Sequence, residues 1–313
     1  MNEEHLALGS GGEFDRLRAI YERLGESGHS LGDDCALLGV QNATLAVSID
    51  LSIEGVHFRR DWMSATDIGY RAASAALSDL AAEGGRPAGL LVSLGVPDRG
   101  EIAPDIMAGV GECATEVGAK VLGGDLTQSD RIIVDVCVIG TAPRPIRRIG
   151  AQVGDGVWVT GSLGAMRLAL NAYRGGRRPS PDIARRFARP TPRLAAGQWL
   201  AAQGATAMID LSDGLTGDAG HLAAASRVAM EVALERVPCW LGAEPLVAAA
   251  SGEEYELLVT MPARFGEKQA QAFTEQLGLA LTRIGSCLVG SGVRFTDRGN
   301  AVRAPAGYDH FAE

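Results

Sequence analysis

The segments TLAVSID at Thr44–Asp50 and SATDIGYRAASAALSDLAA at Ser64–Ala82 decide the fold class of this sequence. The first is a short apolar run that ends in an acid, which predicts a buried strand. In the second, Ser64 and Asp67 form a capping box ahead of an alanine-rich run, which predicts a long helix. Another strand is predicted at Gly89–Val96. A strand, a helix and a further strand in this order indicate an α/β protein.

Helices and strands are predicted along the rest of the chain. Helices are predicted near Glu13–Leu24, Glu101–Val117, Leu215–Ser226 and Ala263–Leu277. Two more are predicted, one that begins at Leu163 and one that ends at Gln203. The strands are predicted at Lys120–Leu122, Arg131–Gly140, Val157–Thr160, Ala207–Asp210, Val228–Leu234 and Tyr255–Met261. The proline- and arginine-rich stretch Arg174–Arg193 is predicted to be a loop. Thr141–Asp155 has two prolines and no periodicity, so we predict two domains, residues 1–143 and 144–313.

The composition excludes two classes of protein. The chain has 313 residues, is 46% hydrophobic and carries a net charge of −9, from 38 acidic and 29 basic residues. This much apolar material predicts a packed core. The negative charge argues against a general nucleic-acid-binding protein, which depends on attraction to phosphates. The lysines are Lys120 and Lys268 alone, and neither stands in the G-x-x-x-x-G-K-[ST] context, so the P-loop class is excluded.

The five cysteines indicate neither a metal cluster nor a disulfide framework. They are scattered without a C-x-x-C pair, and free cysteine tends to be buried as a small hydrophobic residue. The starting sequence MNEEHLALGSGGEF has no basic region followed by an apolar one, and no run reaches about 18 uninterrupted apolar residues. We therefore expect a cytoplasmic protein without a membrane segment.

Acidic residues stand where predicted strands end and glycine-containing loops begin. They are Asp33, Asp34, Asp50, Asp125, Asp210 and Asp213, and Asp79 lies on the alanine-rich helix. Each one alone would be a cap or turn residue, but together they would repel one another unless cations neutralise them. Oxygen ligands without histidine or cysteine clusters suit Mg²⁺, which is often shared with substrate phosphates. The glycine turns at Gly123–Gly124 and Thr160–Gly164 would let the backbone approach a phosphate.

Ten short motifs follow one another across nearly the whole chain. In the first half they are GEFDRL at Gly12–Leu17, LGDDCALL at Leu31–Leu38, SIDLSIEGVHF at Ser48–Phe58, ALSDLAAEG at Ala76–Gly84 and GGD at Gly123–Asp125. In the second half they are RRIGAQVGD at Arg147–Asp155, VWVTGSLG at Val157–Gly164, IDLSDGL at Ile209–Leu215, SGEEYELLVT at Ser251–Thr260 and GYDHF at Gly307–Phe311. Together they resemble the thiamine-monophosphate kinase family. That family belongs to an ATP-binding superfamily that includes aminoimidazole ribonucleotide synthetase and selenophosphate synthetase.

The resemblance implies ATP-dependent phosphorylation of thiamine monophosphate to thiamine diphosphate, by direct in-line transfer with several Mg²⁺ ions. It also implies an α/β (α+β), two-domain fold of the aminoimidazole ribonucleotide synthetase type (PurM-like). In that fold the N-terminal domains pair their sheets into a barrel in a homodimer. The active-site cleft lies between the N-terminal domain and the C-terminal α/β domain. The expected partners are therefore ATP, thiamine monophosphate and a second copy of the chain.

Carried over residue by residue, the resemblance implies three sets of site residues. The metal-binding set is Asp34, Ser48, Ile49, Asp50, Asp79, Asp125, Asp210 and Asp213. The ATP-binding set is Gly124, Asp125, Arg148 and Ser212, and the thiamine-phosphate set is His57, Glu253 and Pro305. Asp50, Asp125 and Arg148 are the residues expected to act most directly in catalysis.

The sequence departs from the family pattern at several positions. Pro305 stands where an aromatic residue often precedes GYDHF, and Ile49 offers only its backbone carbonyl where threonine is common. These departures keep two alternatives open beside the kinase. One is another ATP-dependent synthetase that acts on a small metabolite, and the other is a nucleotide-binding paralogue without catalytic activity.

Overall fold

The computed structural model describes residues 6–24 and 31–311, and in these it contains two β-sheets covered by helices. Residues 1–5, on which part of the expectation about the start of the chain rests, lie outside the described residues. The first sheet has five strands in the order β1-β2-β5-β3-β4, antiparallel except for the pair β3 and β4. The elements of this half are α1 (Gly12–Leu24), β1 (Ala36–Val40), β2 (Ala43–Ile53), α2 (Ala65–Ala82), β3 (Arg86–Val96), α3 (Ala103–Glu116), β4 (Lys120–Gln128) and β5 (Ile133–Thr141).

The helix α2 begins and ends as the sequence predicts. The Ser64 hydroxyl accepts a hydrogen bond from the Asp67 backbone N–H at 3.1 Å, which caps the helix. Gly69 packs so closely against α3 that a Cβ there would lie 1.8 Å from the Ile106 carbonyl oxygen. With α3, the helix forms a layer on one face of the first sheet.

The strand β4 is longer than predicted. It continues from Lys120 through Asp125 to Gln128, whereas the sequence predicts an end at Leu122. Two glycines weaken a strand, but pairing with β3 continues here across a bulge at Leu122. Asp125 therefore lies inside an edge strand and not at the start of a loop.

The second sheet has seven strands in the order β12-β11-β8-β10-β6-β9-β7. The elements of this half are β6 (Gly156–Thr160), α4 (Ala165–Arg174), α5 (Pro181–Ala188), α6 (Leu194–Ala202), β7 (Ala207–Asp210), α7 (Leu215–Ser226), β8 (Ala229–Ala233), α8 (Pro245–Ala249), β9 (Leu257–Met261), α9 (Glu267–Leu277), β10 (Leu281–Leu288), β11 (Gly292–Asp297) and β12 (Asn300–Val302). The bounds of β7 and α7 are those predicted. The helix α8 and the strands β10, β11 and β12 were not predicted. Each half combines a β-sheet with α-helices, which confirms the predicted α/β fold class.

The prediction of a loop at Arg174–Arg193 is wrong, because this stretch contains α5. Pro181 stands at the start of that helix, where its missing N–H costs nothing. Arg186 and Phe187 are buried on its inner face. A stretch rich in proline and arginine predicts a loop, but a proline at the first position of a helix is favourable.

The two halves pack against each other through α2, which contacts α6 and β7 as well as β2 and β5. Gly197 on α6 approaches α2 so closely that a Cβ there would lie 2.0 Å from the Ala81 carbonyl oxygen. The packing of α2 against the second half also places the end of α2 beside the end of β7. Across residues 6–24 and 31–311, no helix combines the length and the apolar character needed to cross a bilayer.

Candidate active site

A cavity of about 990 Å³ lies between the two halves of the molecule. The predicted site residues that line it are Asp34, Ile49, Asp50, His57, Asp79, Arg148, Asp210, Ser212, Asp213 and Glu253. Ser48 lies behind this wall and contacts Asp79. Gly124, Asp125 and Pro305 are not among the described residues that line the cavity. The structure therefore brings most of the predicted residues together and leaves these three apart.

Three carboxylates, from Asp34, Asp79 and Asp210, form a compact group that we call the central carboxylates. One oxygen of each lies within 4.8 Å of the others. Asp34 precedes β1, Asp79 is on α2 and Asp210 ends β7, so the packing of α2 against β7 brings them together. The Ser48 hydroxyl donates a hydrogen bond to Asp79 Oδ2 at 2.6 Å. Burial is the main cause that raises the pKa of all three carboxyl groups, and it raises that of Asp210 to about 7.

Two arginines partly neutralise the acids at the start of the first sheet. Arg148 donates to both oxygens of Asp34, from Nη2 to Oδ1 at 2.6 Å and from Nε to Oδ2 at 3.2 Å. Arg147 Nε donates to Asp33 Oδ2 at 2.7 Å, and Asp33 Oδ1 accepts the Arg148 backbone N–H at 2.9 Å. Arg148 Nη1 also donates to the Gly32 carbonyl at 3.4 Å. These bonds hold the Arg148 guanidinium at the cavity wall, where the N–H bonds that they do not use can contact an anion.

Asp50 lies inside β2, which corrects the expectation that it ends a strand. The apolar run continues beyond it, so the strand extends to Ile53. Asp50 pairs with Val136, which is fully buried on the α2 side of the sheet, and paired residues share a face. Asp50 therefore points toward α2 and the cavity. Burial, with repulsion from Glu253 and Asp135, raises the pKa of Asp50 to about 6.

Asp125 lies on the other face of the first sheet. It pairs with Ser93 of β3, and Ser93 pairs with Asp135 of β5, which is on the face away from α2. Every residue of β4 is exposed, Gly124 and Asp125 included. Within the described residues, nothing brings Asp125 toward the central carboxylates. The roles of Gly124 and Asp125 in metal and ATP binding stay predictions.

His57 and Glu253 line another part of the same cavity. His57 Nδ1 accepts a hydrogen bond from the Ile53 N–H at 3.0 Å, so the neutral ring carries its proton on Nε2. Burial lowers the pKa of His57, which keeps the ring neutral near pH 7. Glu253 is held by Arg71 of α2, whose Nη2 donates to Oε2 at 2.8 Å. Arg71 is buried and was not predicted as a site residue.

The C-terminal segment contributes Tyr308 and His310 to the cavity, whereas Pro305 lies elsewhere. Pro305 lines a separate pocket of about 400 Å³ beside β11 and β12. The Tyr308 N–H donates to the Asp213 carbonyl at 2.9 Å, and the His310 ring centroid lies 5.1 Å from that of His57. The structure does not bring Pro305 to the cavity. Tyr308 and His310 supply aromatic surface from the same segment.

Three aromatic side chains form a wall of the cavity that the sequence analysis missed, and we call it the aromatic wall. The Trp62 ring stacks on Tyr173 with centroids 5.3 Å apart, and Tyr173 lies 5.4 Å from Phe187. The Arg71 guanidinium lies 4.6 Å over the Phe187 ring, which places the wall beside Glu253. Phe187 belongs to α5, where the sequence predicts a loop. The aromatic wall could therefore not be predicted either.

The metal-free protein is expected to lose stability as the pH rises from about 4 to about 7. Burial raises the pKa of Asp50, Asp210 and Asp213 to about 6, about 7 and about 7, above the value of about 3.9 for an unfolded chain. The folded state then binds more protons than the unfolded state in this window, so the free energy of unfolding falls as the pH rises. A cation that binds the ionised folded form offsets this loss. Thermal denaturation should show a larger Mg²⁺-induced rise in melting temperature near pH 8 than near pH 5, and equal shifts would contradict the prediction.

Two family models match successive parts of the chain. Residues 32–142 match the AIR synthase related protein, N-terminal domain, and residues 152–298 match the AIR synthase related protein, C-terminal domain. The chain is 33% identical over 296 residues to the thiamine-monophosphate kinase of Pyrococcus abyssi, with 91% of each chain covered. It is 32% identical over 324 residues to the thiamine-monophosphate kinase of Salmonella typhimurium, with 96% of this chain and 98% of that protein covered.

Solved structures resemble the whole arrangement of both halves. A structure described as AaThiL complexed with AMPPCP and TMP superposes with a TM-score of 0.84 at 31% identity, over 96% of this chain and 97% of that one. The thiamine-monophosphate kinase from Stenotrophomonas maltophilia K279a superposes with a TM-score of 0.78 at 34% identity, over 96% of this chain and 100% of that one. The likeness therefore extends over both halves of the chain.

Proposed function

The chain belongs to the thiamine-monophosphate kinase family, and we propose that it phosphorylates thiamine monophosphate to thiamine diphosphate with ATP as co-substrate. One observation carries the proposal: a single cavity joins the central carboxylates and Arg148 to His57, Glu253 and the aromatic wall. The central carboxylates and Arg148 suit a polyphosphate with its cations. His57, Glu253 and the aromatic wall suit a phosphate ester that carries flat rings. The AaThiL structure that superposes on the chain holds AMPPCP and TMP, which supports both assignments.

We also propose that several Mg²⁺ ions bind at the central carboxylates, at Asp50 and near Asp213. The donor set fits, because it consists of carboxylate oxygens with the Ser48 hydroxyl behind them. Among the described residues, Arg148 is the cation bonded to the central carboxylates, so negative charge is in excess there. Ile49 also lines the cavity, and its backbone carbonyl is the oxygen that it would offer to a cation. When bound, Mg²⁺ supplies neutralisation of the charge on the transferred phosphoryl group.

The proposed reaction is a direct in-line transfer. An oxygen of the acceptor phosphate forms a bond to the γ-phosphorus of ATP, while the bond from that phosphorus to the β–γ bridging oxygen breaks. ADP leaves with the electron pair of the broken bond. A phosphate monoester has a second pKa of about 6, so the attacking oxygen is largely deprotonated near neutral pH and needs no strong base. The barrier is the approach of two anions, which positioning and charge neutralisation lower.

Each residue has a part in that scheme. Arg148, held by Asp34, contacts a phosphate of ATP together with the Ser212 hydroxyl. His57 donates its Nε2–H to the acceptor, and Glu253 contacts the acceptor while Arg71 holds its carboxylate. In this scheme no side chain acts as a general base, and the protein residues orient the two substrates.

An acceptor panel tests the proposed function. We expect ADP formation that requires both thiamine monophosphate and Mg²⁺, with thiamine diphosphate as the product. Turnover with a different small metabolite in place of thiamine monophosphate would favour another synthetase of the superfamily. ATP binding in calorimetry without any diphosphate product, across pH and metal conditions, would favour a non-catalytic paralogue.

Replacing His57 with alanine should raise the KM for thiamine monophosphate by about tenfold or more, since a hydrogen bond to a charged group contributes about 1.5–3 kcal/mol. The KM for ATP should change little, because His57 lies with Glu253 and away from Arg148 in the proposed arrangement. Steady-state kinetics with each substrate varied in turn measure the two constants. Equal rises in both would argue against a contact between His57 and the acceptor.

We further propose a homodimer that forms through the open face of the first sheet. Ile49, Cys137 and Leu91 make one cross-strand row on that face, with Leu51 beside it. Ile49 is 65% exposed and Leu51 45% exposed, and such apolar patches mark protein interfaces. A second copy on this face would also cover Asp125, so Gly124 and Asp125 would act at the boundary between subunits.

We also propose the division into two domains at residues 143 and 144. It is supported by the end of β5, the last strand of the first sheet along the chain, at Thr141.

A Leu91→Arg chain should be monomeric, because a charge placed in the apolar row is costly to bury. Light scattering coupled to gel filtration measures the mass. Leu241→Arg is the matched control, since Leu241 is 96% exposed and lies outside the first sheet; it should leave the dimer intact. A wild-type monomer, or a dimeric Leu91→Arg chain, would contradict the proposed interface.

A further inference from the structure

Two motifs near opposite ends of the sequence have no part in the proposed mechanism, and the structure brings them together. GEFDRL opens α1 at Gly12, and GYDHF forms the C-terminal segment, residues 307–311. Asp309 of the second motif accepts the Gly12 N–H at Oδ2, at 2.5 Å, and the Glu13 N–H at Oδ1, at 3.2 Å. A carboxylate that stands 297 residues away from Gly12 in sequence therefore caps α1.

The residue before α1 cannot cap the helix itself. The first N–H groups of a helix have no partner inside it, and the preceding residue commonly satisfies one of them with a side-chain oxygen. Here that residue is Gly11, which has no side chain. Its φ is 147°, and a Cβ there would lie 3.2 Å from Asp309 Oδ2, so the glycine also makes room for the carboxylate. The helix dipole favours a negative charge at this end of α1.

Further contacts join the same two segments. The Arg16 guanidinium of α1 lies 4.2 Å from the centroid of the Phe311 ring. Asp309 Oδ1 also accepts the Phe311 N–H at 2.8 Å, which closes the C-terminal segment into a turn. Hydrogen bonds from the Phe311 N–H and from the start of α1 lower the pKa of Asp309, so the carboxylate is charged near neutral pH. Asp309 is therefore the junction between α1 and the C-terminal segment.

The helix α1 forms the side of the cavity where Arg148 lies. Phe14, Leu17 and Tyr21 of this helix line the cavity. Burial raises the pKa of Tyr21, and the positive charge of Arg148 opposes this rise, so the two side chains are near each other. The Phe14 ring stacks on His221 of α7 with centroids 3.8 Å apart. The inner face of α1 thus lies beside the arginine that we assign to ATP.

The C-terminal segment lies on the acceptor side of the same cavity. The His310 ring centroid lies 5.1 Å from that of His57. Burial raises the pKa of Tyr308, and the negative charge of Glu253 adds to this rise, so Tyr308 is near Glu253. His57 and Glu253 are the residues that we assign to thiamine monophosphate. Asp309 stands between Tyr308 and His310 in sequence and so ties the acceptor side of the cavity to α1.

From this geometry we propose that Asp309 is a positioning residue that couples the binding of the two substrates. It is not among the described residues that line the cavity, so it acts through α1 and through its neighbours Tyr308 and His310. A nucleotide that packs against α1 orders the start of the helix, and with it the C-terminal segment that Asp309 holds. Thiamine monophosphate then binds to a wall that is already ordered, which strengthens its binding. The inference rests on the proposed function, from which it takes the two substrates.

Calorimetric titration of the full chain with Mg²⁺ tests the coupling. The affinity for thiamine monophosphate is measured with and without AMPPCP, a non-hydrolysable analogue of ATP, and the ratio of the two affinities is the coupling factor. We expect this factor to be smaller by about fivefold or more in Asp309→Ala than in the wild type. Asp309→Asn keeps an acceptor oxygen and should restore part of it. Weaker binding of both ligands with an unchanged coupling factor would overturn the proposal, because a purely structural role predicts that result.

Hydrogen exchange measured by mass spectrometry gives a second test, which needs AMPPCP alone. In the wild type the analogue should slow amide exchange both in α1 and in residues 307–311. In Asp309→Ala it should slow exchange in α1 only. Equal protection of residues 307–311 in the two chains would overturn the proposal. Because thiamine monophosphate is absent, this result stands whatever the acceptor panel shows.

Glu267→Ala is the matched control for both measurements. Glu267 is also a carboxylate in the first turn of a helix, α9, but it is exposed and lies outside the cavity. This variant should keep the wild-type coupling factor and the wild-type protection of residues 307–311. A loss as large as that in Asp309→Ala would contradict a specific role for Asp309.

Discussion

Replacing Asp210 with asparagine is expected to lower kcat by about 10³-fold or more, which corresponds to about 4 kcal/mol of lost transition-state stabilisation. Asp210 ends β7, and one of its oxygens lies within 4.8 Å of oxygens of Asp34 and Asp79, so in the proposed metal site it contributes a ligand charge at the centre of the group. Asparagine keeps the volume and one oxygen but removes that charge. Initial rates over a range of Mg²⁺ concentrations measure the effect, which should be largest where Mg²⁺ is limiting.

The same substitution should stabilise the metal-free fold. Burial raises the pKa of Asp210 to about 7, with repulsion from Asp34 among the causes, so its ionised form destabilises the folded state. We expect the free energy of unfolding near pH 8 to rise by about 1 kcal/mol or more in Asp210→Asn. An activity loss through misfolding would instead lower it.

Asp297→Asn is the control for this pair of results. Asp297 ends β11, is exposed and lies outside the cavity, so neither kcat nor stability should change by much. Unchanged turnover of Asp210→Asn at limiting Mg²⁺ would remove the metal role from the central carboxylates. A loss of both activity and stability would indicate a structural role for Asp210.

The residues of the central carboxylates could be predicted from sequence because local signals placed them. The capping box at Ser64 and Asp67 set the start of α2 and with it the position of Asp79. Asp210 ends the short apolar run that is β7 in the structure. Their distance from each other could not be predicted, since it depends on the packing of α2 against β7.

Asp125 shows where local signals were insufficient. A pair of glycines was interpreted as the end of a strand, but pairing with β3 carries β4 through them to Gln128. Strand length there is decided by a neighbour that is distant in sequence. For the same reason the sequence does not predict β10, β11 and β12: β10 pairs with β6 and β8, β11 pairs with β8, and β12 pairs with β11.

Asp218 and His221 line the cavity but are not among the residues predicted from the sequence, although their D-x-x-H spacing lies on the correctly predicted helix α7. The spacing indicates one face of a helix but not what that face contacts. The stacking of Phe14 on His221 belongs to the tertiary fold, and so does the burial of the His221 ring. Sequence reasoning therefore identifies candidate ligands more readily than it identifies the site they share.

Replacing Glu256 with glutamine is expected to cost about 3–5 kcal/mol of stability, the usual cost of breaking a buried ion pair. Glu256 is 1% exposed and accepts hydrogen bonds from Arg186 Nη2 at 2.9 Å, Arg193 Nε at 2.8 Å and the Thr160 hydroxyl at 2.7 Å. Glutamine has nearly the same shape but removes the negative charge that pairs with both Arg186 and Arg193. Urea denaturation followed by circular dichroism measures the change in the free energy of unfolding.

Glu231→Gln is the matched control, because Glu231 also pairs with an arginine but at the surface. The side chains of Arg294 and Glu231 are 62% and 34% exposed, so this change should cost less than about 1 kcal/mol. Similar costs for the two variants would mean that burial does not set the strength of the Glu256 pair.

The Glu256→Gln variant should also bind thiamine monophosphate more weakly, since Glu256 anchors the segment that carries Glu253. A weakened fold with unchanged acceptor affinity would separate that anchor from the site and contradict the structural link between them.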